Sequence, residues 1–151
     1  MSERVKAWRG GICCAVALAC WGPSASAEIA IPMTYLRQEA ELPPVLSNLD
    51  PIPEDRGIAG AEVALTDTKT TGSFMGHDYS LAFVSVEPGG DFLDAARKAL
   101  AASRIVFVDG SPEEILAIAD LPEARDALLF NVASGARRLR DADCRANVLH
   151  T

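Results

Sequence analysis

The sequence predicts an α/β domain, a parallel Rossmann-like sheet with helices on both faces, and three observations carry that expectation. From Glu28 onward, apolar stretches of strand length alternate with stretches of helical period, the pattern of parallel strands joined by crossover helices. Ile105-Val106-Phe107-Val108 is an unbroken β-branched and aromatic run, as suits an interior strand buried on both faces. Ser111, Pro112 and Glu114 form the strongest local signal in the chain. They supply a capping hydroxyl, a proline preset at the first helical position and a carboxylate three residues on that can reach back to the cap amide.

The chain before Glu28 is expected to stand outside this fold. Arg4, Lys6 and Arg9 form a basic start, residues 12–21 an apolar run, and Ala25-Ser26-Ala27 the small-x-small pattern after which leader peptidases cut. Residues 1–27 therefore read as a secretory signal peptide and residues 28–151 as the exported domain. The apolar run stops at Gly22-Pro23, short of the ~20 residues that a membrane span requires, so no membrane insertion is expected after leader removal. Ala17-Leu18-Ala19-Cys20 loosely resembles a lipoprotein processing site, and a lipid anchor at Cys20 is the less favoured alternative.

In the exported part, residues 29–36 read as a first strand, in which Pro32 lacks a ladder donor and calls for an edge or a bulge. Residues 37–55 carry Pro43, Pro44, Pro51 and Pro53 among acids and read as an extended surface loop. Ile58, Ala61 and Leu65 lie on one face of a helix expected over residues 57–70, stopped by Gly72. A turn over 72–78 leads to a second strand at 79–87. Asp91 caps a helix whose Phe92, Ala95, Ala96, Ala99 and Leu100 follow the i, i+3, i+4, i+7, i+8 spacing, its alanines permitting close approach to a sheet. After the strand at 105–108, Asp109-Gly110 turns the chain into a third helix that runs to about Asp120. Residues 127–132 read as a fourth strand, 133–143 as a polar connection with room for a short helical turn, and 147–150 as the start of a fifth strand.

Charge and motifs remove several function classes. The net charge of −7 becomes −9 once the leader, with three basic residues and Glu3, is set aside, so no bulk attraction for nucleic acid or anionic lipid is expected. No glycine-rich nucleotide loop, zinc-protease helix or hydrolase elbow occurs. His77 beside Asp78 reads as solvated turn surface, since a metal site needs three or four converging ligands. Asp109 at the end of the third strand invites comparison with a phosphoacceptor domain, but the carboxylates and the lysine that such chemistry needs after the first and fifth strands are absent. No enzyme activity, cofactor or metal is expected. Of four cysteines, Cys13, Cys14 and Cys20 fall in the leader, and only Cys144 remains in the exported part.

Open parallel sheets bind ligands beyond the carboxyl ends of their strands, which directs attention to Asp109, Gly110 and Ser111 and to residues 131–134. Amides at the start of the third helix, with Ser111 as cap, are able to hold an anionic group. The plainer reading is that Asp109 and Ser111 serve only as turn and cap.

The order of leader, strand, long loop, the helix from Gly57 to Leu65, then Thr70-Thr71-Gly72-Ser73-Phe74-Met75-Gly76 and a second strand resembles the first lobe of type 1 periplasmic substrate-binding proteins of ABC transporters, the branched-chain amino acid type. More narrowly, Tyr35-Leu36-Arg37-Gln38, the stretch Leu46-Ser47-Asn48-Leu49-Asp50-Pro51-Ile52-Pro53-Glu54-Asp55, and Asp141-Ala142-Asp143-Cys144-Arg145-Ala146-Asn147 look like the branch associated with quinone (PQQ)-dependent alcohol oxidation. The resemblance implies a periplasmic receptor that closes two lobes on a small-molecule solute and presents it to an ABC permease, with this chain spanning only the first lobe. It places ligand contacts after the third and fourth strands, at Gly110-Ser111 and Ala133-Ser134. Asp109 departs from the family pattern there and repels a substrate carboxylate. One lobe alone is expected to bind solute weakly or not at all. The alternative expectation is a non-transport accessory of the alcohol oxidation system, docking through Glu39, Glu41, Asp50, Glu54 and Asp55.

Overall fold

A computed structural model describes residues 28–41, 53 and 55–151. The expected leader, with its three cysteines, and most of the proline-rich stretch before Asp55 lie outside the described residues. The elements are β1 (Ile29–Gln38), α1 (Ile58–Met75), β2 (His77–Val86), α2 (Phe92–Ala102), β3 (Ile105–Asp109), α3 (Pro112–Ala119), β4 (Leu128–Asn131) and β5 (Val148–His150), with short 3-10 turns at Pro122–Ala124 and Arg137–Arg140. The five strands form one sheet in the order β2-β1-β3-β4-β5, and every neighbouring pair is parallel. This is the α/β arrangement that the alternating pattern predicts.

Because strand side chains alternate, the register sorts the sheet into two faces. Leu36, Val106, Val108, Leu129 and Val148 point to one face and meet Phe92, Ala96, Ala99 and Leu100 of α2 and Ile115, Ile118 and Ala119 of α3 in a single buried cluster. Each large aliphatic side chain sealed there contributes about 1.5–3 kcal/mol of transfer free energy. The opposite row runs Phe83, Tyr35, Phe107, Phe130 and Leu149 across the sheet. On this face α1 lies against β2, and of its residues only Gly72 is buried. Phe107 and Phe130 pack together with ring centroids 5.2 Å apart, while Leu128 and Leu149 beside them remain 45% and 43% exposed. The expectation that residues 105–108 are buried on both faces is therefore corrected: Val106 and Val108 are sealed, Ile105 and Phe107 only half-buried. Among the described residues no helix packs over β4 and β5 on that side, and α1 reaches only as far as Phe107 of β3.

Local chemistry explains most boundaries. The α2 cap is Asp91, which accepts the Asp94 amide at 2.9 Å. The first helix does not stop at Gly72 but continues to Met75 and closes at Gly76. Gly72 instead permits a close approach, since a Cβ there would lie 2.7 Å from the Tyr79 ring. With the helix prolonged, the expected turn over 72–78 shrinks, and His77 and Asp78 belong to β2. The His77 ring meets Tyr79 edge-on, its Nδ1 3.2 Å from the phenol oxygen. The first strand likewise extends through Arg37 and Gln38, which had been expected in the loop. Pro32 lies in an interior strand but just outside the β1–β3 ladder, which begins with Met33 opposite Ile105.

The connection from β4 to β5 contains the expected short helical turn and is pinned to α3. Arg145 makes two hydrogen bonds to the Asp120 carboxylate, of 2.6 and 3.0 Å, and Asn147 Nδ2 donates to the carbonyls of Ala119 and Ala124. Arg138 pairs with Glu113 and lies 3.6 Å from Asp143.

Candidate functional site

The chain passes from β1 outward to β2, then returns across β1 to β3 and continues the other way to β4 and β5. The loops leaving the carboxyl ends of β1 and β3 therefore diverge, and such a switch point is where open parallel sheets form a crevice. Arg37 and Asp109 are register partners at this edge, one residue beyond Leu36 and Val108. The Tyr35 hydroxyl donates to Asp109 Oδ2 at 3.1 Å. Gly57, with φ of 85°, brings the backbone before α1 so close that a Cβ would lie 2.5 Å from the Tyr35 oxygen. A side chain is thus disfavoured there by both conformation and space.

Burial, followed by the negative Asp109 carboxylate, pushes the Tyr35 phenol up from 10.0 to about 12. A raised phenol value means that the unfolded chain releases this proton first. The contribution to stability is complete below pH 10 and is lost progressively between pH 10 and about 12. The phenolate absorbance of the wild-type chain, which has two tyrosines, is expected to include a late step near pH 12 that disappears in Tyr35→Phe. Absence of any late step in the wild type would contradict the buried pair.

Asp109 ends β3 and Gly110 and Ser111 follow it, while Ala133 and Ser134 follow the neighbouring β4, so both predicted groups stand on the same edge of the sheet. Each group is held by its own bonds. Ser111 Oγ accepts the Glu114 amide at 3.3 Å, and the Ser111 amide and hydroxyl both donate to Glu114 Oε2, at 2.7 and 2.8 Å. The Ser111 amide and hydroxyl are thus already taken by a carboxylate of the chain itself, and an external anion has to displace Glu114 to reach them. Ser111→Ala removes the cap and is expected to cost about 1 kcal/mol of stability, measured by urea denaturation. An unchanged midpoint would show that the box contributes nothing.

Ala133 and Ser134 are positioned by Asn131, a buried amide with four hydrogen bonds. Its Oδ1 accepts the Ser134 and Ala133 amides at 2.8 and 3.3 Å, and its Nδ2 donates to the Ser134 carbonyl at 2.7 Å and to His150 Nδ1 at 3.0 Å. The last bond assigns the His150 proton to Nε2, which is buried without a partner among the described residues. Ser134 Oγ accepts the Ala136 amide, so this turn is closed on itself.

The sequence points to Asn131 only as the start of the 131–134 stretch, and it does not single out Tyr35 as a site residue. A tyrosine in a strand gives no such signal by itself, and its link to Asp109 depends on β1 pairing with β3, a long-range fact. Asn131 carried a signal, since a polar residue closing an apolar strand must find partners. Cys144 is a free, exposed thiol on the β4–β5 connection. Among the described residues no group of three or more His, Cys, Asp or Glu side chains is placed to hold a metal ion. Nor is any helix among them long and apolar enough to cross a membrane. Comparison with protein families, curated proteins and solved structures finds no significant match to the chain.

Proposed function

We propose that this chain is the solute-binding lobe of an ABC import system of the branched-chain amino acid type, serving a periplasmic, quinone-dependent alcohol oxidation system. The observation that carries the reading is the strand order β2-β1-β3-β4-β5, whose switch point lies between the ends of β1 and β3, where open parallel sheets form a ligand crevice. That crevice presents Arg37, Tyr35 and Asp109, with the Asn131 turn two strand positions along the same edge. The wall is polar and preformed, its groups already fixed by hydrogen bonds, as suits recognition of a small solute rather than its transformation. A single wall leaves much of a solute in water, so tight binding requires a second surface closing over it. The secretory pattern of residues 1–27 and a permease partner belong to the same proposal.

The Asp109 carboxylate at the crevice favours a solute that carries an amine but no carboxylate. Amide NMR spectra of the exported chain are expected to shift at residues 109–111 and 133–134 on titration with leucinamide. The response to leucine is weaker, and Asp109→Asn narrows the difference. Binding on the order of 1 mM is expected, a free energy of about 4 kcal/mol. Shifts confined to other residues, or submicromolar binding by this lobe alone, would overturn the proposal.

A second reading, an accessory that works by contacting another protein, is favoured by the half-covered face around Phe107, Phe130, Leu128 and Leu149. Of the acids expected to dock it, Glu39, Glu41 and Asp55 lie at the described surface, and Asp50 and Glu54 lie outside the described residues. Alanine replacement of the five acids that abolishes partner association while leaving the leucinamide shifts intact would favour this reading.

A further inference from the structure

The sheet face under α1 contains a cavity of about 400 Å³, half open to solvent, that adjoins the crevice edge at Tyr35. Its volume falls within the range of small-ligand pockets, roughly 300–1,000 Å³. Its walls are the sheet residues Met33, Leu81 and Phe107 on one side and Ala61, Leu65 and Thr68 of α1 on the other. No charged side chain lines it, and the polar side chains among its lining residues are Thr68, Tyr35 and Tyr79.

The space follows from how α1 is propped. Gly57 ahead of the helix rests on the Tyr35 hydroxyl, and Gly72 near its end rests on the Tyr79 ring. These two contacts are 15 residues apart, a helical span of about 22 Å. Between them the inward positions are small except for Leu65, and the rings hold the helix off the strands. The opposite face shows the contrast, since α2 is also alanine-rich yet seals against the sheet, with Ala96 at 0% and Ala99 at 4% exposure. Underpacking on one face only, with aromatic walls and hydroxyls at both ends, is the form of a ligand pocket rather than of a uniformly loose fold.

We propose that this cavity binds a small, uncharged, largely apolar molecule, with an aromatic ring the best fit to Phe107 and the two tyrosines. A charged ligand is disfavoured because it would leave water without meeting an opposite charge. The Tyr35 hydroxyl already donates to Asp109, so toward the cavity it is an acceptor for a ligand hydroxyl or amine proton. The cavity shares Tyr35 and Gly57 with the crevice edge, but the inference does not rest on the transport reading.

The test uses N-phenyl-1-naphthylamine, an uncharged fluorescent probe, with the exported chain. Saturable one-to-one enhancement is expected, with nuclear Overhauser contacts from the probe to the methyl groups of Met33, Leu65 and Leu81 in the unmodified protein. Ala61→Leu, which projects a larger side chain into the cavity, weakens binding at least tenfold, whereas Leu149→Ser on the open part of the sheet leaves it unchanged. The contacts in the unmodified protein decide the matter if Ala61→Leu does not fold. Absence of saturable binding, contacts only to Leu128 and Leu149, or an Ala61→Leu variant that folds and binds like the wild type would overturn the inference. These readouts lie at Met33, Leu65 and Leu81, not at residues 109–111 or 133–134, so failure here is distinguishable from failure of the transport reading.

Discussion

Leu36→Ala is expected to lower the stability of the folded chain by about 3 kcal/mol, read as a shift of the urea midpoint at constant slope. Leu36 is 0% exposed and belongs to β1, between β2 and β3, where its side chain enters the cluster formed with α2 and α3. Truncating it leaves a void in the one part of the molecule packed on every side, and strands hydrogen-bonded to both neighbours cannot collapse to fill it. Leu149→Ala supplies the control. That side chain is already 43% exposed on the other face, and its loss is expected to cost no more than about 0.5 kcal/mol. Similar costs at the two positions would contradict the asymmetric packing described above.

Asn131→Ala is expected to cost about 2–3 kcal/mol, because it leaves the Ser134 and Ala133 amides and the Ser134 carbonyl without their shared partner. The aspartate variant is the more informative. Asn131→Asp preserves shape and both acceptor contacts but replaces the donor aimed at the Ser134 carbonyl and His150 Nδ1 with a second carboxylate oxygen. An ionised group at a position only 1% exposed then meets the Ser134 carbonyl oxygen, and a His150 that turns its Nδ1 into a donor offsets only part of that cost, so full rescue is not expected. Both variants should also broaden the amide resonances of Ala133 and Ser134, since the turn they occupy has no other anchor of comparable burial. Wild-type stability in Asn131→Asp would show that the amide does not organise this edge.

The contrast between the two faces also explains what the sequence makes legible. Elements with strong local chemistry, such as the box at Ser111, Pro112 and Glu114 and the cap at Asp91, are written in adjacent residues and were readable within a residue or two. The extent of α1 was not, because Gly72 looks like a terminator and is instead a packing contact with Tyr79, a residue beyond the helix. The half-exposed state of Phe107 was hidden for a similar reason. A β-branched and aromatic run tells which residues favour a strand, but not whether a helix lies over each face. The candidate edge was legible as positions 109–111 and 131–134 from topology rules alone. The Tyr35–Asp109 bond required the β1–β3 register, and the use of the Ser111 donors by Glu114 required side-chain geometry.

Amide hydrogen exchange of residues 28–151 tests the underlying picture most directly. The α1 helix buries only Gly72, and the hydroxyls of Thr66 and Thr70 bond back to the carbonyls of Glu62 and Thr66, competing with its own ladder. The α2 and α3 helices bury Phe92, Ala96, Ala99 and Leu100, and Ile115, Ile118 and Ala119. The account predicts that amides of β1, β3, β4, α2 and α3 exchange only through global unfolding, while those of α1 exchange through a smaller opening of lower free energy. Protection of α1 equal to that of α2 would contradict it, and with it the propped helix and the one-sided core on which the candidate sites are built.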